Sequence, residues 1–154
     1  KLTGGKKKPI MVNRKNVKGN LTRYDMIKQV IVIRKDLHMR RGKECSQVAH
    51  ASMKVFFDRG YLVASLVETE LHIPLTKQMV NWFEGIFTKI TCVVDSEQEL
   101  QELYHKAKEA NIPCAMIEDV GLTEFNNVPT KTCIAIGPDD SSKIDIITGH
   151  LKLY

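Results

Sequence analysis

No apolar run in this 154-residue chain approaches the roughly 18–20 residues that cross a bilayer, so no membrane helix is expected. No apolar core follows the basic N-terminus, so no secretory signal is expected either. The four cysteines, Cys45, Cys92, Cys114 and Cys133, form neither a CxxC nor a Cys/His pair at zinc spacing, and no structural metal is expected. Three of them lie in apolar runs, where a free thiol acts as a small hydrophobe, so a reducing, cytoplasmic setting is expected. The GxxxxGK[ST] phosphate loop and the GxSxG nucleophile elbow are both absent. Aromatics make up only 6% of the chain, and Tyr24, Tyr61 and Trp82 stand alone, as packing residues usually do. What remains is ordinary globular material, 43% apolar and 27% charged, enough for one domain with its own core.

The net charge of +5 is unevenly spread. Residues 1–35 hold 11 Lys/Arg and one acid, whereas residues 36–154 hold 12 Lys/Arg and 17 acids. A cationic front suits a polyanion such as nucleic acid; the plainer alternative is a solvated tail.

The β-branched run Gln29–Lys35 and the run Phe87–Val94 read as strands. Cys114–Ile117 and Thr132–Ile136 read as two more. Gly42–Asp58 reads as a helix, Thr76 caps another through Glu84, and Ser96 with Glu99 forms a capping box that opens a third, to about Ala110. Asp139–Ser142 opens a last helix that ends before Gly149. Leu62–Leu71 is ambiguous and fits a short helix. Alternating strands and helices predict an α/β single domain, a mixed sheet with helices on both faces.

Two places could carry chemistry. At about 100° per residue, Lys43, Gln47, His50 and Lys54 fall in one stripe about 60° wide, which puts an imidazole between two amines. Cys45, Val48, Ala49, Ser52, Val55 and Phe56 form the opposite, apolar side. Gly42 with Arg40, Arg41 and Lys43 makes the helix start a plausible phosphate seat. The ordinary alternative is a solvated helix face. The second place is Glu118-Asp119 at the carboxyl edge of a strand, where open α/β sheets bind ligands; the alternative is a turn-forming Asp.

The run Met39-Arg40-Arg41-Gly42-Lys43-Glu44-Cys45-Ser46-Gln47-Val48-Ala49-His50-Ala51 closely resembles M-x-x-G-K-x-x-x-Q-x-x-H-A, the signature of type 2 peptidyl-tRNA hydrolases. Asp119-Val120-Gly121-Leu122-Thr123 resembles that family's D-A-G-x-T loop. Thr132 to Pro138 and Thr148 to Tyr154 resemble T-x-x-x-I-G-P and the terminal T-G-H-L-K-L-x. Val120 and Leu122 depart from the loop pattern.

The resemblance implies a four-stranded sheet between helices. It implies hydrolysis of the ester between a peptide and the 3′ ribose of tRNA, without metal or cofactor. Carried over by position, Lys43, Gln47, His50, Asp119, Thr123 and Thr132 are the catalytic set. Asp119, directly or through His50, activates water, and Thr123 and Thr132 or nearby amides hold the oxyanion. Arg40, Arg41, Lys43 and Lys54 form the tRNA track. Residues 1–28 then read as a basic N-terminal extension, and residues 29–154 as the family domain with an insertion around 59–85. A non-catalytic tRNA- or protein-binding module on the same scaffold is the alternative, and a small-ligand regulatory domain a third. Monomer and homodimer both stay open.

Overall fold

The computed structural model describes residues 26–154. The basic extension expected over residues 1–28 lies outside the described residues up to position 25. The first strand, β1 (Ile27–Arg34), begins two residues before Gln29. It is buried from Lys28 to Arg34 because helices cover both faces, which suits its run of Val and Ile. Helix α1 (Arg41–Phe57) follows, then the strands β2 (Tyr61–Ala64) and β3 (Thr69–His72) and helix α2 (Lys77–Glu84). Next come β4 (Thr88–Val94), α3 (Glu97–Glu109), β5 (Cys114–Asp119), β6 (Thr130–Asp140), α4 (Ser141–Thr148) and β7 (Lys152–Leu153). No helix among the described residues is long and apolar enough to cross a membrane.

The α/β class with a mixed sheet holds. The sheet has five strands, not four, in the order β5-β6-β1-β4-β7. The extra strand is the two-residue β7, too short and too exposed to leave a periodic signal. Strands β1 and β4 run parallel, and the pairs β1/β6, β5/β6 and β4/β7 run antiparallel. One layer buries Val30, Val32, Ile134 and Ile136 against Leu100, Leu103 and Ile144 of α3 and α4. The other buries Ile31, Ile33, Cys133 and Ala135 against Ala51, Val55 and Phe56 of α1 and Met79 and Trp82 of α2.

Two local readings need correction. Leu62–Leu71 is not helical: β2 and β3 pair antiparallel as a hairpin, with Tyr61 opposite His72 and Ala64 opposite Thr69. Ser65 closes the turn, its amide and hydroxyl donating to the Glu68 carbonyl at 2.8 and 2.9 Å. The buried face of α1 is also rotated from the expected one. It comprises Gln47, Ala51, Val55 and Phe56, whereas Cys45 and Ala49 are exposed. The rotation arises because Gln47 finds buried polar partners and so behaves as an interior residue. Within the region expected as an insertion, α2 belongs to the core: Trp82 stacks on Phe56 and donates Nε1–H to the Thr88 carbonyl at 2.9 Å.

Candidate active site

Strands β1 and β5 end at the same sheet edge, and α1 starts from the loop that leaves β1. That topology sets the first turns of α1 beside the end of β5. A register shift between Ile117 and Glu118 interrupts the ladder just before Asp119, the kind of irregularity that re-aims a side chain.

Asp119 is held by three donors. Lys43 Nζ and Gln47 Nε2 (2.9 Å) donate to Oδ2, and the Gly121 amide donates to Oδ1 at 2.8 Å. The Lys43 and Asp119 side chains are only 14% and 13% exposed, a pair largely withdrawn from water. The hydrogen bond from Lys43, reinforced by those from Gly121 and Gln47, holds the Asp119 carboxyl below the usual carboxylate range. Gln47, 2% exposed, is fixed from behind: the Thr132 hydroxyl donates to its Oε1, which turns its NH₂ toward Asp119. Thr132 is itself 0% exposed, so its hydroxyl acts on Gln47 and does not face solvent.

The loop after Asp119 makes the other wall. Gly121 has φ +84°, and a Cβ there would sit 2.6 Å from the Val128 carbonyl oxygen, so only glycine fits. Phe125, Asn126 and Asn127 are all left-handed, and the Asn127 amide returns to the Gly121 carbonyl at 3.0 Å. Lys43 Nζ also reaches Thr123 Oγ1 at 3.4 Å and lies 5.7 Å from the Phe125 ring centroid. Arg40 pairs with Glu124 at 2.8 Å and ties the loop to the start of α1. An open hollow of about 400 Å³ lies here, lined by Arg40, Gly42, Lys43, Ser46, Thr123 and Glu124.

Lys43, Gln47, Asp119, Thr123 and Thr132 thus share one hydrogen-bonded corner. His50 does not join it. It is exposed one turn beyond Gln47, and no hydrogen bond links it to Asp119 among the described residues. Arg41 is exposed at the helix start, and Lys54 pairs with Asp58 at 2.7 Å at the other end of α1. Gly121 and Phe125 were not among the expected site residues. The glycine was legible, because an Asp followed two residues later by Gly signals a turn whose amide returns to the carboxylate. Phe125 carried no such signal. The four cysteines are free thiols, with Cys92 and Cys133 buried and Cys45 exposed.

The profile of the family described as Peptidyl-tRNA hydrolase PTH2 matches residues 27–154. The peptidyl-tRNA hydrolase of Methanocaldococcus jannaschii is 38% identical over 127 residues, covering 82% of this chain and 99% of that protein. The peptidyl-tRNA hydrolase of Haloquadratum walsbyi is 40% identical over 128 residues, covering 83% and 100%. A solved structure of a protein of unknown function from Agrobacterium tumefaciens strain C58 shares the fold, with TM-score 0.51 and 13% identity over 82% of this chain and 96% of that one. With Lys43, Gln47, Asp119 and Thr123 gathered at one corner and its relatives matched over nearly their whole length, the chain belongs to the peptidyl-tRNA hydrolase PTH2 family of hydrolases.

Proposed function

We propose that this protein hydrolyses the ester joining a peptide to the 3′ ribose of tRNA, using the corner built on Asp119. The observation that carries the proposal is the ionised Asp119 held by Lys43, Gln47 and the Gly121 amide beside an open hollow. A carboxylate offers about four acceptor positions, and three are filled. The fourth, on Oδ1, has no partner among the described residues and can orient a water molecule. A carboxyl held below its usual range is a weak base, so Asp119 aims the water more than it strips it. Within this proposal the exposed His50 takes the proton through solvent as the water oxygen bonds to the ester carbonyl carbon. The carbonyl oxygen becomes an oxyanion, which the Thr123 hydroxyl and the Lys43 ammonium stabilise. Collapse breaks the bond to the ribose oxygen, which takes a proton and leaves as the tRNA 3′-hydroxyl, with the peptide released as its acid. Gln47 and Thr132 position; they do not touch the ester. Arg40, Arg41 and the start of α1 meet the tRNA phosphates.

The test is release of N-acetyl-amino acid from N-acetyl-aminoacyl-tRNA. Asp119→Ala should lower kcat about 10²–10⁴-fold with tRNA affinity retained. Salt-sensitive tRNA retention without turnover in the wild type would select the binding-module alternative.

A further inference from the structure

The sheet is not fully covered on the side of α1 and α2. Those helices pack chiefly over β1, β5 and β6; Trp82 of α2 reaches the start of β4 through the Thr88 carbonyl, and the end of β4 with β7 lies beside them. Lys89, Thr91 and Val93 alternate onto this face of β4: Val93 packs against the α1-side core, and Lys89 Nζ is held over the Phe87 and Trp82 rings, 3.3 and 4.5 Å from their centroids. Lys152 pairs with Val93 and therefore shares the face. Tyr154 crosses it, its amide donating to the Thr91 carbonyl at 3.0 Å and its hydroxyl to Glu44 in the first turn of α1. The Tyr154 ring remains 60% exposed, and Lys89 and Lys152 are exposed.

Lys152 stands out because the domain is otherwise acidic. Residues 26–154 carry 15 Lys/Arg against 17 Asp/Glu. The Glu44 carboxylate beside the margin accepts the Tyr154 hydroxyl. The margin is also continuous with the site. Strands lie about 4.8 Å apart, so at the edge that holds Asp119 the end of β4 is roughly 14 Å and β7 roughly 19 Å away across the sheet, whereas Lys89, paired with Gln29, lies at the opposite edge. The start of α1, with Arg40 and Arg41, lies between. At about 3.4 Å per stacked nucleotide, that span is four to six nucleotides.

We infer that the open β4–β7 margin, with Tyr154 and Lys152, carries the strand of tRNA immediately 5′ of the esterified ribose. Lys152 meets its phosphates and the Tyr154 ring offers a stacking surface for a base. The inference rests on the peptidyl-tRNA substrate proposed above.

The test compares two substrates, N-acetyl-aminoacyl-tRNA and the 3′-ester of the same N-acetyl-amino acid with adenosine, which is too short to reach the margin. The variants are Lys152→Ala, Tyr154→Ala and their combination. For the double variant the KM for the tRNA substrate should rise about tenfold. For Lys152→Ala the slope of log affinity against log salt should flatten by about one unit. Turnover of the adenosine ester should not change. Tyr154→Phe keeps the ring but loses the bond to Glu44, and it should resemble the wild type. Equal losses on both substrates, or a Tyr154→Phe effect as large as that of Tyr154→Ala, would show that the C-terminus only braces α1 and would overturn the inference. So would an unchanged KM for the tRNA substrate. If the wild type hydrolyses neither substrate, the proposed activity fails separately. Salt titration of uncharged tRNA binding still decides the margin: reduced affinity in the variants supports it, and equal affinity sinks it.

Discussion

The α1–β5 corner and the β2–β3 hairpin are opposite kinds of structure. In the corner, hydrogen bonds join residues 72 to 85 positions apart, and the side chains that make them are mostly withdrawn from water. In the hairpin every residue is exposed, and the bonds are local, from the Ser65–Glu68 turn to the Tyr61–His72 stack. A polar group in the corner has no water to replace a lost partner, so each is worth more there than on the surface. The hairpin can lose any one contact to solvent at little cost. The corner is therefore where a change of one atom alters function, and the hairpin is where sequence can drift.

Substitutions can sharpen that contrast. After the loss of Asp119 itself, the largest effect is expected from Gly121→Ala. A side chain at positive φ costs about 1–3 kcal/mol, and the Cβ also meets the Val128 carbonyl. The loop must shift and withdraw its amide from Asp119, so kcat should fall at least tenfold along with a lower Tm. A thermal melt and a progress curve check both. Next comes Thr132→Val, which leaves the buried Gln47 Oε1 without a donor, at about 1–3 kcal/mol of stability. Here kcat should fall while KM stays level, because Thr132 touches Gln47 and not substrate.

Lys43→Met should act on pH dependence. Lys43 is the main reason the Asp119 carboxyl lies low, so the folded state favours its ionised form. That contribution is full above the unfolded value near pH 3.9 and is lost as pH falls through the lower folded value. Without Lys43, the acid limb of residual kcat/KM should move to higher pH. An unmoved limb would show that Asp119 does not govern it. The smallest effect is expected from Leu66→Ser at the hairpin tip, within about 0.5 kcal/mol of wild-type stability. A large loss of stability, or a change in molecular mass in solution, would break the comparison by revealing a partner on the hairpin.

Legibility followed the same division. The capping box at Ser96 was readable because it is written within four residues. The Ser96 hydroxyl accepts the Glu99 amide at 3.2 Å, and Glu99 reaches back to the Asp95 amide at 2.9 Å. The Thr76 cap was readable for the same reason, its hydroxyl accepting the Met79 amide at 3.1 Å. The hairpin was ambiguous because Leu62–Leu71 has apolar residues at both helical and strand spacings, and its Ser65 turn carries neither Gly nor Pro. Strand β7 was invisible because two residues have no period.

In the site, the polar stripe of α1 was visible, but its division was not. Helical geometry places Gln47 and His50 on one flank. Only the packing of α1 on β6 and β5 makes Gln47 an interior residue and leaves His50 in solvent. Cys133 shows the same effect: beneath α1 its thiol reaches the Gln47 carbonyl at 3.2 Å, and burial pushes its pKa up to about 12.

From its sequence alone this protein determined the four main strands β1, β4, β5 and β6 and its helix caps, along with the order of the motifs that mark its family. Each of these depends on neighbours within a turn or two, where propensity and hydrogen-bond reach act directly. The tertiary structure alone decided which of those residues meet: that Lys43, Gln47 and Gly121 converge on Asp119, that Thr132 stands behind Gln47, and that the chain's last residue reaches the first turn of α1. Such meetings follow from sheet order and from the removal of water between packed elements, and neither is written in any local stretch of chain.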